Sequence, residues 1–363
     1  MNTAASHTTP PPLYRWEGSA REIGRQHGLT FASEIRREAS REVSRFAGLM
    51  GGSEAAALDH FWELHRGIYE RWLPESLEEI HGLGEGANIS FLEAFLVATA
   101  SRASLRISDA CSSIFVPHNC SLTGGALLGQ NKDTPRHPSE HLGIHKIYSS
   151  GREEILLTYA GWIGNIGINN HGMGFCANSL PLECREIPGA LAPGVLWRLI
   201  HETGDLDLVL ETARRFPFAK SSIFIGHATR GCHILEFIQG EADILVFPET
   251  PCARANTVLS PRLKKWQPES DAVSRFNLRQ NRMDELLKTQ PAFSLEGIHG
   301  ILQDHEHYPL SVCRHFTELD RNVTTGGYVA DLAAGRVRFW ASHTCLNLVS
   351  EAQMEHPYFS NKI

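Results

Sequence analysis

The chain has 363 residues, of which 42% are hydrophobic and 21% charged. A chain of this size and composition is a folded globular protein with one large or two ordinary domains, which excludes collagen-like, low-complexity and coiled-coil chains. The 34 basic and 41 acidic side chains give a net charge of −7, so no overall positive field is present to hold a nucleic acid. No apolar run reaches the roughly 18 residues of a membrane span. We therefore expect a cytoplasmic protein without nucleic-acid or membrane partners, which begins with a short loose arm at residues 1–16.

The first part of the chain is predicted to be helical. Ser19 and Glu22 form a capping box, and the long helix that they start continues to Met50. Further helices follow from apolar residues at three- and four-residue spacing and from a second capping box at Ser90. The predicted helices of this block cover residues 19–50, 58–72 (ended by Pro74), 77–84 and 90–102.

From Cys111 onward the pattern changes to short runs of β-forming residues between glycines and prolines. The predicted strands cover residues 113–116, 126–130, 142–148, 154–159, 163–169, 173–177, 222–225, 233–238, 243–247 and 255–259, and a hairpin at 325–332 and 337–341. The predicted helices cover residues 194–202, 206–215, 272–288 and 295–303. Blocks of strands and blocks of helices indicate an α+β fold or a layered sandwich in one domain.

The most informative stretch is Asp109-Ala-Cys111-Ser-Ser-Ile-Phe-Val116, which is followed by Gly129-Gln-Asn-Lys-Asp133. A cysteine at a helix-to-strand changeover is typical of a small buried side chain, and alone it indicates no function. Three other segments accompany it: Glu22-Ile-Gly-Arg-Gln-His-Gly28, Glu70-Arg-Trp72 and Tyr308-Pro-Leu-Ser-Val-Cys-Arg314.

Together these segments resemble the N-terminal-nucleophile (Ntn) hydrolases related to acyl-coenzyme A:6-aminopenicillanic-acid acyltransferase. That family carries Asp-Gly-Cys-Thr-Thr, Gly-Gln-Asn-x-Asp, Glu-Ile-Gly-x-x-His-Gly, Glu-Arg-Trp and Tyr-Pro-x-Ser-Ile-Cys-Arg in the same order. The resemblance runs from residue 22 to residue 314. It implies the four-layer αββα Ntn-hydrolase sandwich with an N-terminal helical block.

The resemblance also implies a precursor that cuts itself between Ala110 and Cys111. Residues 1–110 would form an α chain and residues 111–363 a β chain, retained together as one structural domain, an α/β heterodimer that could assemble further. Cleavage would free an α-amine with an unperturbed pKa of about 7.7–8.0 beside a thiol of about 8.5, so one residue would supply base and nucleophile. Ala110 stands where the family has glycine, and because we expect a strained turn there, self-cleavage would be slower.

The resemblance assigns roles to five residues. Cys111 is the nucleophile, Asp133 orients its amine, and Arg314 fixes that carboxylate or steadies a charge on the substrate side. Asn256 is the candidate oxyanion-hole donor. Ser222 matches a substrate-binding serine. A structural ion pair explains Asp133 and Arg314 as an alternative, and a strand-capping hydroxyl explains Ser222 equally well.

Other signals do not support a cofactor. His141 and His145 would share a face on a helix, but Gly143 and the β-rich surroundings argue against a helix there, and the segment Asp304-His-Glu-His-Tyr308 precedes Pro309 in a predicted loop. We therefore interpret these residues as solvated or hydrogen-bonded imidazoles and expect no metal. No nucleotide-binding glycine motif is present. Lys264-Lys265 and Arg279–Arg282 are interpreted as solvated charged faces. No cofactor is expected, and acyl-coenzyme A is considered only as an acyl-donor substrate.

The sequence thus predicts an amidohydrolase or acyltransferase that acts on a C–N bond of a small N-acyl compound through a thioester acyl-enzyme. Its partners would be a small N-acyl amide, or an amine with an acyl donor. Two alternatives stay open: a cysteine hydrolase that is not processed, and a catalytically silent binding protein that has kept the Ntn fold.

Overall fold

The computed structural model describes residues 9–99, 110–135, 142–180, 182, 187–267, 269, 271–318 and 322–358. The helices are α1 (Ala20–Thr30), α2 (Ala32–Met50), α3 (Glu54–Trp72), α4 (Pro74–Ala87), α5 (Phe91–Thr99), α6 (Gly194–Thr203), α7 (Leu206–Arg215), α8 (Asp271–Leu286) and α9 (Leu295–Leu302). The strands are β1 (Leu13–Glu17), β2 (Ala110–Val116), β3 (Leu127–Pro135), β4 (Leu142–Ser149), β5 (Arg152–Tyr159), β6 (Ile166–Asn169), β7 (Met173–Asn178), β8 (Ser221–His227), β9 (Gly231–Ile238), β10 (Glu241–Phe247), β11 (Cys252–Arg254), β12 (Asn322–Asp331), β13 (Arg336–Trp340) and β14 (Val349–Gln353). None of the helices in these ranges combines the length and the apolar composition that a bilayer span needs.

The strands form two sheets that pack face to face. Sheet A has eight strands in the order β1-β4-β5-β6-β7-β8-β9-β10, and sheet B has six in the order β11-β2-β3-β12-β13-β14. Helices α6 and α7 pack on β7 and β10 of sheet A, and α8 and α9 pack on β11, β3 and β12 of sheet B. Strands β2 and β3 contact β7 between the sheets, and helices α3 and α4 of the N-terminal block contact α6. This helix–sheet–sheet–helix arrangement confirms the predicted α+β, four-layer sandwich with an N-terminal helical block.

The N-terminal segment contributes a strand to sheet A. Strand β1 runs parallel to β4, with Leu13 opposite Ile144 and Glu17 opposite Tyr148. Trp16 is buried. The prediction of a loose arm is therefore wrong for residues 13–16, because the strand that they pair with lies about 130 residues away and leaves no local signal.

Two helix boundaries differ from the sequence-based prediction. The predicted helix over residues 19–50 is two helices, α1 and α2, because Phe31 leaves the helical conformation with φ of −117°. Pro74 ends α3 as expected, but it also opens α4 at the first helical position, where its missing N–H is not needed. The predicted end of the fourth helix near residue 102 lies outside the described residues.

The strand predicted over residues 255–259 is not formed. Strand β11 ends at Arg254, and side chains instead of a neighbouring strand satisfy the next backbone N–H groups. Gln280 Oε1 accepts from Ala255 N–H at 2.7 Å, and Gln267 Oε1 accepts from Val258 N–H at 2.7 Å. The segment is therefore an irregular connection. Strand β14 was not predicted.

Helices α1 and α4 pack with their backbones in close contact. A Cβ atom on Gly24 would lie 1.8 Å from the carbonyl oxygen of Glu79, and one on Gly82 would lie 1.9 Å from that of Arg21. No side chain fits at such distances, so the contact requires glycine on both helices. The family-like segment at residues 22–28 therefore has a structural role in the helical block.

Buried charges join the helical block to sheet A. Glu79 of α4 lies 3.5 Å from Arg152 of β5 and 3.5 Å from Arg198 of α6. Arg152 also contacts Glu154 at 2.9 Å. All four side chains are buried. Because separation would leave these charges buried and unpaired, the network holds helix α4 against β5 and α6.

Candidate active site

Cys111 lies on a buried central strand. It is in β2, opposite Lys132 of β3, and its exposed fraction is 4%. Alternate residues of a strand share a face, so Cys111 and Ser113 lie on the same side of sheet B. Ser113 Oγ donates a 2.9 Å hydrogen bond to Oδ1 of Asn178 in β7 of sheet A. The Cys111 thiol therefore faces the space between the two sheets.

The bond before Cys111 is part of the same strand. Ala110 is the first residue of β2, pairs with Asp133, and is fully buried. It is not among the residues with positive φ. The strained turn expected at this position is thus absent, because the β2–β3 ladder holds Ala110 in extended conformation.

Asn256 contacts the backbone of Cys111. Its Oδ1 accepts a 3.0 Å hydrogen bond from the Cys111 N–H. Its Nδ2 donates to the carbonyl oxygen of Ser179 at 2.8 Å and to Ser179 Oγ at 3.2 Å. Asn256 therefore lies where the sequence predicted, with its amide oxygen toward Cys111, whereas the predicted oxyanion role needs the amide nitrogen.

Arg279 of α8 ties this amide to Asp133. Its guanidinium donates to Asp133 Oδ2 at 2.9 Å and also to Asn256 Oδ1. Thr324 Oγ1 donates to Asp133 Oδ1 at 2.7 Å. The interpretation of Arg279–Arg282 as a solvated face is therefore wrong for Arg279, whose side chain is only 2% exposed. Arg282, which is also on α8, is 27% exposed.

Arg314 lies one hydrogen bond further from Asp133. Its N–H donates to Thr324 Oγ1 at 2.9 Å, and its carbonyl oxygen accepts from the Thr324 N–H at 3.0 Å. Thr324 thus connects the backbone of Arg314 to the Asp133 carboxylate. The Arg314 side chain is buried, and its predicted role stays a prediction.

Asn178 and Ser222 lie side by side on neighbouring strands of sheet A. Asn178 Nδ2 and Ser222 Oγ are buried, and neither has a hydrogen-bond partner among the described residues. Asn178 is joined to the Cys111 strand through Ser113, and Ser222 lies one strand further away. The sequence analysis missed Asn178, although a polar residue at the end of an otherwise apolar strand was a signal.

Lys132 is a second residue that the sequence analysis passed over. It pairs with Cys111 across the β2–β3 ladder, and paired residues have Cβ atoms about 4.5–5.5 Å apart. Its ammonium lies 5.4 Å from the centre of the Tyr159 ring in sheet A. Lys132 therefore projects from the same face of the sheet as Cys111.

Potential metal ligands form a separate group in the described part of the chain. The group consists of His305, Cys313, His315 and Cys345. His305 thus lies beside residues distant in sequence. All cysteines within the described ranges are free thiols.

Comparison with known proteins identifies one matching family and a similar curated protein. The family profile of acyl-coenzyme A:6-aminopenicillanic acid acyl-transferase matches residues 120–339, more than half of the chain. The 40 kDa form of acyl-coenzyme A:6-aminopenicillanic-acid-acyltransferase from Emericella nidulans is 25% identical over 315 residues, which cover 83% of this chain and 84% of that protein.

Two solved structures are also similar. A mutant of the conjugated bile acid hydrolase from Clostridium perfringens has a TM-score of 0.45 at 12% identity and covers 69% of this chain and 94% of that one. Penicillin V acylase from Agrobacterium tumefaciens has a TM-score of 0.43 at 13% identity and covers 70% of this chain and 89% of that one.

The profile match confirms the resemblance seen in the sequence and, at the level of class, the prediction of an acyltransferase or amidohydrolase. The chain belongs to the acyl-coenzyme A:6-aminopenicillanic acid acyl-transferase family.

Proposed function

We propose that the protein cuts itself between Ala110 and Cys111 and then acts as an N-terminal-cysteine amidohydrolase or acyltransferase on the C–N bond of a small N-acyl compound. The observation that carries this proposal is the 3.0 Å hydrogen bond from the Cys111 N–H to Asn256 Oδ1. That N–H becomes the free α-amine after cleavage, so its acceptor is in place before the reaction.

In the maturation step the Cys111 thiol attacks the carbonyl carbon of Ala110. The Ala110–Cys111 C–N bond breaks, the thiol proton passes to the nitrogen, and a thioester and a free amine result. Water then hydrolyses the thioester, which leaves a carboxylate on Ala110 and restores the thiol. Asn256, held by Arg279, keeps the nitrogen in place throughout.

In turnover the α-amine takes the proton of the Cys111 thiol, and the thiolate attacks the substrate carbonyl. The ammonium of Lys132 stabilises the thiolate, because it lies across the ladder from Cys111. The amine of the tetrahedral intermediate takes the proton and leaves. Water or an acceptor amine then resolves the thioester.

The oxyanion requires a buried donor that is not already in use. Asn178 Nδ2 meets this condition better than the predicted Asn256 Nδ2, which already donates to Ser179. We therefore give Asn256 the orienting role and Asn178 the donor role. In this scheme Asp133 acts through Arg279, and Ser222 remains a candidate contact for the acyl group.

The relatives are named for acyl transfer to 6-aminopenicillanic acid and for hydrolysis of conjugated bile acids and penicillin V. For this chain we propose an N-acyl compound as substrate and hydrolysis as the main reaction. Transfer from acyl-coenzyme A to an amine is the second candidate, supported by the 25% identical relative over most of both chains.

The two products of cleavage are proposed to stay together as an α/β heterodimer. Strand β1 of the first product pairs with β4 of the second. The buried Glu79 carboxylate of the first also contacts Arg152 and Arg198 of the second. Separation of the two products would expose an unpaired edge of sheet A and leave buried charges without their partners.

The test is intact-mass analysis of the purified full chain together with turnover of a panel of N-acyl p-nitroanilides. The wild type is expected to give two fragments, 1–110 and 111–363, with a transient acyl adduct on Cys111. The Cys111→Ala variant should stay full-length and inactive, whereas Cys120→Ser should behave as the wild type.

Two results would contradict the proposal. A full-length wild type that still turns over anilides identifies an unprocessed cysteine hydrolase. A wild type whose Cys111 is never acylated identifies a silent binding protein.

A further inference from the structure

Four side chains with metal-binding chemistry converge outside the active site. One ligand atom from each of His305, Cys313, His315 and Cys345 lies within 4.8 Å of all the others. Three of these residues are in the connection from α9 to β12, and Cys345 is in the short turn between β13 and β14.

Three of the six spacings between these atoms are close to the edges of a tetrahedron around one ion. The Nε2 atoms of His305 and His315 are 3.0 Å apart. From His315 Nε2, the sulfur of Cys345 is at 3.4 Å and that of Cys313 at 3.8 Å. With Zn–S of about 2.3 Å and Zn–N of about 2.0–2.1 Å, the edges of a Cys₂His₂ tetrahedron are about 3.3–3.8 Å.

A single buried amide supports all the ligand-bearing segments. Asn131 Nδ2 donates to the carbonyl oxygens of Leu302 at 2.7 Å and Val312 at 3.1 Å, and its Oδ1 accepts from Thr344 Oγ1 at 2.6 Å. Val312 and Thr344 immediately precede the two cysteine ligands, and Leu302 is three residues before His305. Asn131 thus holds the ligand-bearing segments together, as the residues that surround the ligands of a metal site commonly do.

Two further contacts fix individual ligands. The Cys313 N–H donates to the carbonyl oxygen of Asp304 at 3.0 Å, which brings the His305 segment beside Cys313. The ring of His343 stacks on that of His315 with centroids 4.2 Å apart. Both contacts restrict the ligands without using their coordinating atoms.

We propose that His305, Cys313, His315 and Cys345 bind one structural Zn²⁺ ion. Two thiolates and two neutral imidazoles form a donor set of nitrogen and sulfur that zinc favours over harder cations. Four protein ligands complete a tetrahedral shell and leave no position for substrate, so the ion is structural. It would fix the segment that carries Arg314, because two of its ligands flank that residue.

Binding exchanges protons for the metal. Cysteine binds zinc as the thiolate, so both thiols must lose their protons when the metal binds. Zn²⁺ displaces the two thiol protons to solvent, and the resulting centre carries no net charge. Zinc affinity should therefore fall as the pH falls.

The experiment expresses the full-length chain, keeps the purified protein reduced, and measures its metal content by inductively coupled plasma mass spectrometry. We expect one zinc per chain. After exchange for Co²⁺, we expect the visible ligand-field bands of tetrahedral cobalt and a near-ultraviolet thiolate-to-cobalt band. Cys345→Ser and His315→Gln should lose the stoichiometric zinc and these bands. Cys111→Ala and Cys120→Ser should keep both, which separates this site from the catalytic thiol.

Three results would overturn the proposal. One is a reduced wild type that holds no stoichiometric zinc and gives no tetrahedral cobalt spectrum. Another is zinc that persists in a Cys313→Ser, Cys345→Ser double variant. The third is a Cys313–Cys345 disulfide in protein that binds no cobalt after reduction, which would make the cluster a redox pair. The zinc content and cobalt spectrum of the wild type test the proposal even if a variant does not fold.

Discussion

The backbone N–H of Cys111 donates a 3.0 Å hydrogen bond to the side-chain oxygen of Asn256, a residue 145 positions further along the chain. This contact fixes the nitrogen that the proposed cleavage would release. Replacing Asn256 with alanine should slow both self-cleavage and turnover by about 10²-fold, because the nucleophile loses its orientation. Two quantities are measured: the fraction of uncut chain over time, and the rate of anilide hydrolysis per molecule of cut protein. The exposed Asn119→Ala variant is the matched control. Unchanged rates in Asn256→Ala would show that the contact is architectural.

The Arg279–Asp133 pair predicts a charge-dependent loss of stability. Arg279→Met should cost about 3–5 kcal/mol in the free energy of unfolding, because the buried Asp133 carboxylate then loses the guanidinium that donates to its Oδ2 atom. Adding Asp133→Asn should recover much of that stability without restoring turnover. Urea denaturation of both single variants and the double variant measures the coupling. The partly exposed Arg282→Met is the control, and purely additive losses would refute the pairing.

The proposed oxyanion donor separates Asn178 from its neighbour Ser222. Asn178→Ala should lower kcat by about 10²–10³-fold with little change in KM. Ser222→Ala should leave kcat unchanged, because its hydroxyl has no hydrogen-bond partner among the described residues, and should change KM if the hydroxyl binds the acyl group. Steady-state kinetics on one anilide decides between them. Equal effects of the two variants on kcat would contradict these assignments.

The glycine contact between α1 and α4 predicts opposite effects of one substitution at two sites. Gly24→Ala should destabilise the protein severely, because the new Cβ would lie 1.8 Å from a carbonyl oxygen of the facing helix. Gly67→Ala on α3 meets no atom within 4 Å and should stabilise the protein by roughly 0.5–1 kcal/mol. Thermal unfolding compares the two variants. A mild effect at Gly24 would mean that the helices separate easily.

A buried histidine predicts a loss of stability in mild acid. His65 accepts from the Ala192 N–H through Nε2 at 2.9 Å, and its Nδ1 lies 2.8 Å from the carbonyl oxygen of Phe61, so the neutral ring satisfies both contacts. Burial lowers the pKa of His65 to about 4. The unfolded chain, with a pKa of about 6.5, then binds the proton first, so stability is fully present above pH 6.5 and is lost as the pH falls towards 4.

Urea midpoints at pH 7 and pH 5 measure this effect. The wild type should lose about 1–2 kcal/mol between these pH values through His65. His65→Gln should start lower at pH 7 and decline less steeply, whereas the exposed His60→Gln should follow the wild type. Parallel slopes for wild type and His65→Gln would refute the prediction.

The α+β class could be predicted from local patterns of strands and helices, and the four-layer sandwich from the family resemblance of a few short motifs. Asn256 lies beside Cys111 in the structure, but its orientation depends on Ser179 and Arg279, which no local pattern connects to it. Arg279 itself was misinterpreted, since a run of charged residues does not reveal which of them faces a sheet.

The cysteine and histidine cluster escaped prediction for a related reason. His305 and His307 were considered as a pair because they are close in sequence, yet the partners of His305 are eight, ten and forty residues away. Strand β1 was missed likewise, because its partner β4 is distant. Only the folded chain brings such residues together.

The hydrogen bond between Asn256 and the Cys111 N–H links the proposed cleavage to the completion of folding. If scission follows the proposed route, the backbone must first reach its finished topology, since the acceptor for the Cys111 nitrogen comes from a remote connection. Uncut material would then act as a built-in reporter of delayed assembly. Substitutions far from the thiol, at the glycine contact between α1 and α4 or in the buried charge network beside sheet A, would raise the amount of uncut chain without altering the chemistry of cleavage.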